Sequence, residues 1–264
     1  MINSVFPTYV VIDFSSSMRE LVDGKASILV ATEIIQTLLD SMRENSSVAD
    51  ALRVRVIGFN SKICICTPLF DYYGLKCWYE EAKGSFENQC EHMTYYGAAF
   101  EKLYECINQD IDQFKSNNEE YYRPLVYFLT DGKPVGEDSS ERDNKYSKLV
   151  NNADSTRRPV IFCVGIGDAD MAGLKRYGAS RLGTVDGEYC TSNPNMTYQI
   201  KKGVNTAEGL KLLNSNVVAT IRNSLQKRSQ SDDNRVNEID DENFTDVDVH
   251  AFLERYFNTD NLSL

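Results

Sequence analysis

The sequence predicts an α/β fold with a mostly parallel central sheet, one antiparallel edge strand and helices on both faces. Two observations carry that prediction. Short apolar runs with strand character alternate along the chain with longer stretches of helical spacing, and such alternation builds parallel strands joined by crossover helices. Several of those runs are almost wholly apolar, as strands covered on both faces must be. In sheets of this kind the reactive edge lies at the C-terminal ends of the strands.

Tyr9-Val-Val-Ile reads as the first buried strand, cut off by Asp13 and a serine cluster. Lys25 to Met42 then sets Ile28, Leu29, Thr32, Ile35, Leu38, Leu39 and Met42 on one helical face. Leu52 to Phe59 alternates Leu52, Val54 and Val56 with Arg53 and Arg55, a strand with one drier face. Asn60-Ser61 is a turn, and Lys62 to Leu69 is its antiparallel partner strand. Residues 70–93 carry Tyr72, Tyr73, Trp78 and Tyr79 with Gly74 and Gly84 as punctuation, and read as an irregular insertion. Gly97 to Phe114 resumes helical spacing through Phe100, Leu103, Ile107, Ile111 and Phe114. Pro124 to Leu129 is a central strand ending at Thr130-Asp131-Gly132. Ser139 to Ala153 reads as a helix, Pro159 to Val164 as a buried strand, Ala169 to Tyr177 as a short helix and Leu182 to Cys190 as a last strand. Asn205 and Glu208 form a capping box opening a helix to Gln226, with Leu210, Leu213, Val217, Ile221 and Leu225 facing inward.

The chain has 264 residues, 42% apolar and 25% charged, which is ordinary for a globular protein with a proper core. Its net charge of −11 argues against a nucleic-acid groove or an anionic membrane surface, both of which need Lys and Arg against phosphate. From Arg228 onward ten acids face three bases, so the tail carries −7 and residues 1–227 only −4. Residues 1–227 therefore read as one domain. Residues 228–243 read as an acidic flexible linker, too poor in apolar side chains to offset chain entropy. Residues 244–264 read as a short amphipathic helix carrying Val249, Phe252, Leu253 and Phe257. No secretory signal and no membrane span are seen, and seven cysteines with no disulfide framework point to a reducing, cytoplasmic setting.

Three segments point to one place. Asp13-Phe14-Ser15-Ser16-Ser17 follows the first strand, and residues at alternate positions there turn Asp13, Ser15 and Ser17 towards a common point. Thr94 precedes a helix, and Asp131 ends the central strand. All five are hard oxygen donors, a set that suits Mg²⁺ or Mn²⁺ and suits zinc or copper poorly. Hydroxyls in the inner shell cancel little of the ion's charge, leaving it open to one more anion.

This pattern resembles the metal-ion-dependent adhesion site of von Willebrand factor A domains, which have a Rossmann-like fold. The likeness spans residues 6–227. Within that family the chain looks most like cytosolic bacterial tellurite-resistance TerY-type proteins, on Val11-Ile12-Asp13-Phe14-Ser15-Ser16-Ser17-Met18-Arg19, Leu129-Thr130-Asp131-Gly132-Lys133-Pro134 and Val164-Gly165-Ile166-Gly167-Asp168-Ala169-Asp170. The resemblance implies that Ser15, Ser17 and Thr94 bind metal directly, with Asp13 and Asp131 acting directly or through water. It implies a non-enzymatic module binding an Asp or Glu of a protein partner. It also implies a setting beside a Ser/Thr protein kinase or a metal-dependent phosphatase, in tellurite stress or anti-phage defence. Family members often carry Gly-Gly before the threonine and Gly at the place of Ser16, where this chain has His92-Met93 and serine.

Other readings of the same residues stay open. Asp13 with its serines, and Thr94, also suit helix N-caps. The oxygen cluster would serve a metal-dependent phosphatase or nuclease given a second metal or a base, and the sequence offers no convincing set. A scaffold with an inactive metal site is the remaining alternative. Gly165-Ile-Gly167 after a strand mimics a dinucleotide fingerprint, yet Asp170 stands where the third glycine belongs, so a tight turn is expected. Cys64, Cys66, Cys77, Cys90 and His92 are candidate zinc ligands at non-standard spacings, with Cys64 and Cys66 expected to share one inward strand face. The aromatics Tyr72, Tyr73, Trp78, Tyr79, Tyr95 and Tyr96 read as core or cover, or as a rim around the metal edge. Arg157-Arg158 reads as solvated surface.

Overall fold

The computed structural model describes residues 4–179, 196–200 and Val218. The chain opens with β1 (Phe6–Asp13), a 3₁₀ turn at Ser16–Arg19, and a small antiparallel hairpin of β2 (Leu21–Val22) and β3 (Lys25–Ala26). Then come α1 (Ser27–Glu44), α2 (Ser46–Ala51), β4 (Leu52–Phe59), β5 (Ile63–Cys66), α3 (Tyr72–Ala82), α4 (Phe86–Gln89) and α5 (Tyr96–Ser116). β6 (Leu125–Thr130), α6 (Ser139–Val150), β7 (Val160–Ile166), α7 (Met171–Leu174) and β8 (Thr197–Ile200) follow, with further 3₁₀ turns at Lys83–Ser85 and Ser155–Arg157.

One six-stranded sheet runs in the order β5-β4-β1-β6-β7-β8. Every pairing is parallel except β4 with β5 at the edge. β1 lies between β4 and β6, so its eight residues are all buried. Strand alternation splits them between two cores. Val10 and Ile12 pack with α1 and the α3–α4 segment, and Tyr9 and Val11 pack with α5 and α6. β6 divides in the same way, Tyr127 and Leu129 to one face and Val126 and Phe128 to the other. This two-sided burial is the physical reason the strand runs are apolar throughout.

The irregular insertion expected over residues 70–93 is instead helical. Asp71 caps α3, its carboxylate accepting from Gly74 N at 2.9 Å, and Leu75, Tyr79 and Phe86 are buried against α1. Gly74 does not break the helix; a Cβ there would meet the Phe70 ring at 2.6 Å, so close packing explains it. The aromatics of this segment are mostly cover, with Trp78 tilted on Phe86 at 6.0 Å between centroids and Tyr73 left 74% exposed.

Cys64 and Cys66 do not share an inward face. A bulge skips Cys64, so Phe59 pairs with Ile63 and Gly58 with Ile65. Ile63 then packs on the α5 side and Ile65 on the α1 side, while both cysteines are exposed. Arg157 is not simply solvated: it bonds Asp112, Asp154 and Asn108, tying α5 to the loop before β7. The expected strand at Leu182–Cys190, the acidic linker and the C-terminal helix lie outside the described residues. Of the expected helix over Asn205–Gln226, only Val218 is described; it is helical and buried in the α1-side core.

Candidate metal centre

The site forms where β1, β4 and β6 end together. Parallel strands bring their C-terminal ends to one edge, which places Asp13, the last residue of β1, beside Asp131, the first residue after β6. Phe14 N donates to Phe59 O at 2.6 Å, holding the chain against β4 before it turns. Asp13 is fully buried and completely engaged. Its Oδ1 accepts from Ser15 N at 2.8 Å, and its Oδ2 accepts from the Thr130 hydroxyl at 2.7 Å. Ser15 Oγ and Ser17 Oγ lie 3.1 Å apart, and Ser17 Oγ donates to Asp131 Oδ1 at 2.9 Å.

Thr94 joins them from the loop before α5. A Cβ on Gly132 would sit 3.6 Å from Ser17 Oγ and 3.7 Å from Thr94 Oγ1, so the two hydroxyls face the same point. All five predicted residues therefore converge around one small space. Gly132 lies against two of them, its Cα facing the Ser17 and Thr94 hydroxyls.

The helix-cap readings do not hold here. Ser15 precedes the 3₁₀ turn but its side chain bonds none of the turn's amides. Thr94 leaves the capping of α5 to another residue: the Glu137 carboxylate accepts from Tyr96 N at 3.1 Å and from Gly97 N at 2.9 Å. A carboxylate bridging free first-turn amides is a strong cap, since helix starts carry partial positive charge. Glu137 belongs to the loop after β6, so the same contact locks the Thr94 loop to the Asp131 loop. Val135 N donating to Thr94 O at 3.1 Å, and the Tyr96 hydroxyl donating to Gly132 O at 2.8 Å, reinforce that lock.

The electrostatics call for a cation. Burial, with the Asp13 and Glu20 charges, pushes the Asp131 carboxyl up to about 7, against the Ser17 hydrogen bond. Burial also raises Asp13, against the hydrogen bonds from Thr130, Ser15 and Thr94. Two adjacent carboxyl groups that resist joint ionisation gain most from a divalent ion beside them.

The von Willebrand factor type A domain family matches residues 9–185, two-thirds of the chain. The chain belongs to that family. Among solved structures, this type A domain is similar to the pilus adhesin SpaC from Lactobacillus rhamnosus GG, with 14% identity and a TM-score of 0.54 over 83% of this chain and 31% of that one. It is also similar to proximal thread matrix protein 1 from the mussel byssus, with 16% identity and a TM-score of 0.51 over 80% of this chain and 47% of that one. The SpRpn10 VWA domain aligns over 78% of this chain and 93% of its own length, at 10% identity and a TM-score of 0.50. At such identities the likeness is one of fold. The chain spans less than half the length of the first two structures. No curated protein is significantly similar to the chain.

The residues of this type A domain fit a hard divalent ion. Three hydroxyls and two carboxylates supply only oxygen, and Ser17 and Thr94 both face Gly132. The departures at His92 and Ser16 are accommodated. His92 adopts φ +63°, in the left-handed region glycine enters without cost, and its carbonyl accepts from Ser16 N at 3.1 Å and Ser16 Oγ at 3.2 Å. The zinc alternative gains nothing: among the described residues no three His, Cys, Asp or Glu side chains gather as a metal site, and Cys66 lies beside Cys106 instead. Gly165, inside β7, and Gly167, just after it, serve packing and turning. A Cβ at Gly165 would meet Met171 Sδ at 2.5 Å, and Gly167 has φ +61°. Among the described residues no helix is long and apolar enough to cross a membrane.

Sequence reasoning missed the residues that hold the ligands in place. Thr130, Glu137 and Tyr96 were legible only as a strand end, a loop acid and an aromatic. Tyr96 is buried beneath the site, so it is a support and no part of a rim. The missing signal was pairing across the chain; a polar residue closing an otherwise apolar strand, as Thr130 does, is the one local hint.

Proposed function

We propose that this type A domain is a non-enzymatic, metal-dependent protein-interaction module. Ser15, Ser17 and Thr94 would hold Mg²⁺ or Mn²⁺ directly, and Asp13 and Asp131 directly or through water. The bound ion would supply an electrophilic centre at the sheet edge for a carboxylate. The partner would offer an Asp or Glu there. The observation that carries this reading is the convergence of three hydroxyls on two carboxyl groups, one of them pushed up to about 7.

Two features support a macromolecular partner. Met93 and Val135 are 52% and 54% exposed, and both belong to the loops that carry Thr94 and Asp131. Large apolar side chains left in water beside a polar site favour contact with another protein. The TerY-type resemblance extends the reading to a cytosolic bacterial stress or anti-phage setting, with a Ser/Thr protein kinase or a metal-dependent phosphatase as the partner.

Isothermal titration with MnCl₂ tests the site. Wild type should bind one ion, and Ser15→Ala/Ser17→Ala should lose at least about tenfold in affinity. Capture of partners from the native cell in Mg²⁺, compared with chelator, tests the role. Absence of binding in the first and equal capture in the second would overturn the reading.

A further inference from the structure

Cys66 ends the edge strand β5 and is exposed, whereas Cys106 lies in the middle of α5 and is buried. Their sulfurs are 3.8 Å apart, and the Arg55 guanidinium lies 4.0 Å from Cys66 Sγ. We propose that Cys66 and Cys106 form a peroxide-sensitive dithiol pair, with Cys66 the attacking thiol and Cys106 the resolving one.

The arrangement separates the two roles. A peroxide-reactive thiol must be solvent-accessible and ionised, and its partner must wait within reach. Cys66 meets the first requirement. The hydrogen bond from Cys106, with the nearby Arg55 and Lys102 charges, draws its pKa down to about 6 against the opposing effect of burial. Cys106 is pushed up by the same hydrogen bond, in which it keeps its proton, and by burial. Cys64, two residues earlier on the same strand and also exposed, is pushed up to about 11 by desolvation and serves as an internal control.

The chemistry balances with a hydroperoxide as oxidant. The Cys66 thiolate attacks the peroxide oxygen, the O–O bond breaks, and the departing alkoxide or hydroxide takes up a proton to leave as alcohol or water. Cys66 becomes a sulfenic acid. Its thiolate charge is then gone, so the influence that held the proton on Cys106 is removed. Cys106 sulfur attacks Cys66 sulfur, the S–O bond breaks, and the hydroxide leaves with the Cys106 proton as water. Two thiols have lost two electrons in total to one peroxide. Closing 3.8 Å to about 2.05 Å asks for side-chain rotation at the end of a strand that, among the described residues, pairs with β4 alone. The product would staple β5 to α5, the helix that starts two residues after Thr94.

The test is peptide mapping of the full, reduced chain after brief treatment with hydrogen peroxide and quenching with iodoacetamide. The expected product is a Cys66–Cys106 linked peptide and a protein lighter by two hydrogens. Cys106→Ser should leave a sulfenic acid on Cys66 that dimedone labels, and Cys66→Ser should leave Cys106 as a free thiol. At pH 7, Cys66 should alkylate at least about tenfold faster than Cys64. Should Cys106→Ser fail to fold, the wild-type map decides alone. Recovery of Cys66 and Cys106 as separate thiols, or linkage through other cysteines, overturns the proposal.

Discussion

Ser17 Oγ donates a 2.9 Å hydrogen bond to Asp131 Oδ1 across 114 residues of chain. The two belong to loops that follow β1 and β6, adjacent parallel strands, and the contact exists only because those strands end at the same level. Several expected behaviours follow from how this edge is built.

Asp131 should make metal-free stability fall as pH rises. Below about pH 4 both folded and unfolded chains hold its proton, and the residue makes no difference. Above that the unfolded chain releases it, while the folded carboxyl, held up to about 7, does not. The loss is complete above pH 7. Asp131→Asn should therefore be more stable than wild type by about 1–2 kcal/mol at pH 8 in chelator, a value discounted for solvent screening and sharing with Asp13. The difference should vanish near pH 4, and Mn²⁺ should stabilise only the wild type. Urea unfolding at the two pH values checks this; a variant less stable at pH 8 would contradict it.

Thr130→Val keeps the shape of the side chain and removes its hydroxyl. Asp13 Oδ2 then loses a 2.7 Å donor and Gly132 N loses a 3.2 Å acceptor, both in a site where Asp13 is fully buried. We expect a loss of about 1–3 kcal/mol, with Mn²⁺ affinity down about tenfold. Titration calorimetry and urea unfolding read the two effects, and an unchanged affinity would remove Thr130 from its positioning role.

Gly58→Ala tests the packing behind the site. A Cβ there would lie 2.9 Å from the Phe14 ring and 3.0 Å from Ile65 Cβ. Phe14 directly follows Asp13, so relief of the clash must move the site loop or the bulged strand. A cost of about 1–3 kcal/mol is expected from overpacking. A thermal midpoint equal to that of wild type would show that the ring shifts freely.

Asp110 anchors the opposite face. It receives Arg55 through two bonds, at 2.6 and 3.1 Å, and the Tyr9 hydroxyl at 2.9 Å, with only 3% of its side chain exposed. Asp110→Ala leaves a buried guanidinium without its counter-ion and should cost about 3–5 kcal/mol. Adding Arg55→Met should restore much of it. If the double variant is no more stable than the single one, the unpaired charge is not the cause.

The sequence by itself determined the α/β class, the central strands and the five ligand candidates. Alternating apolar runs and helical stripes are local, and Asp13, Ser15 and Ser17 sit within one turn, so each is legible from spacing alone. The insertion was misread because Gly74 signals a break locally, whereas its missing Cβ is what lets α3 approach the Phe70 ring. The inward face expected for Cys64 and Cys66 failed because one bulged residue inverts a strand's alternation, and a bulge is set by the partner strand. Only the tertiary structure decided that Glu137, not Thr94, caps α5, that Thr130 and Tyr96 brace the site, and that Cys66 meets Cys106. Each of those contacts joins residues from separate elements. Periodicity reports which way a side chain faces, and what it meets there depends on how the elements pack.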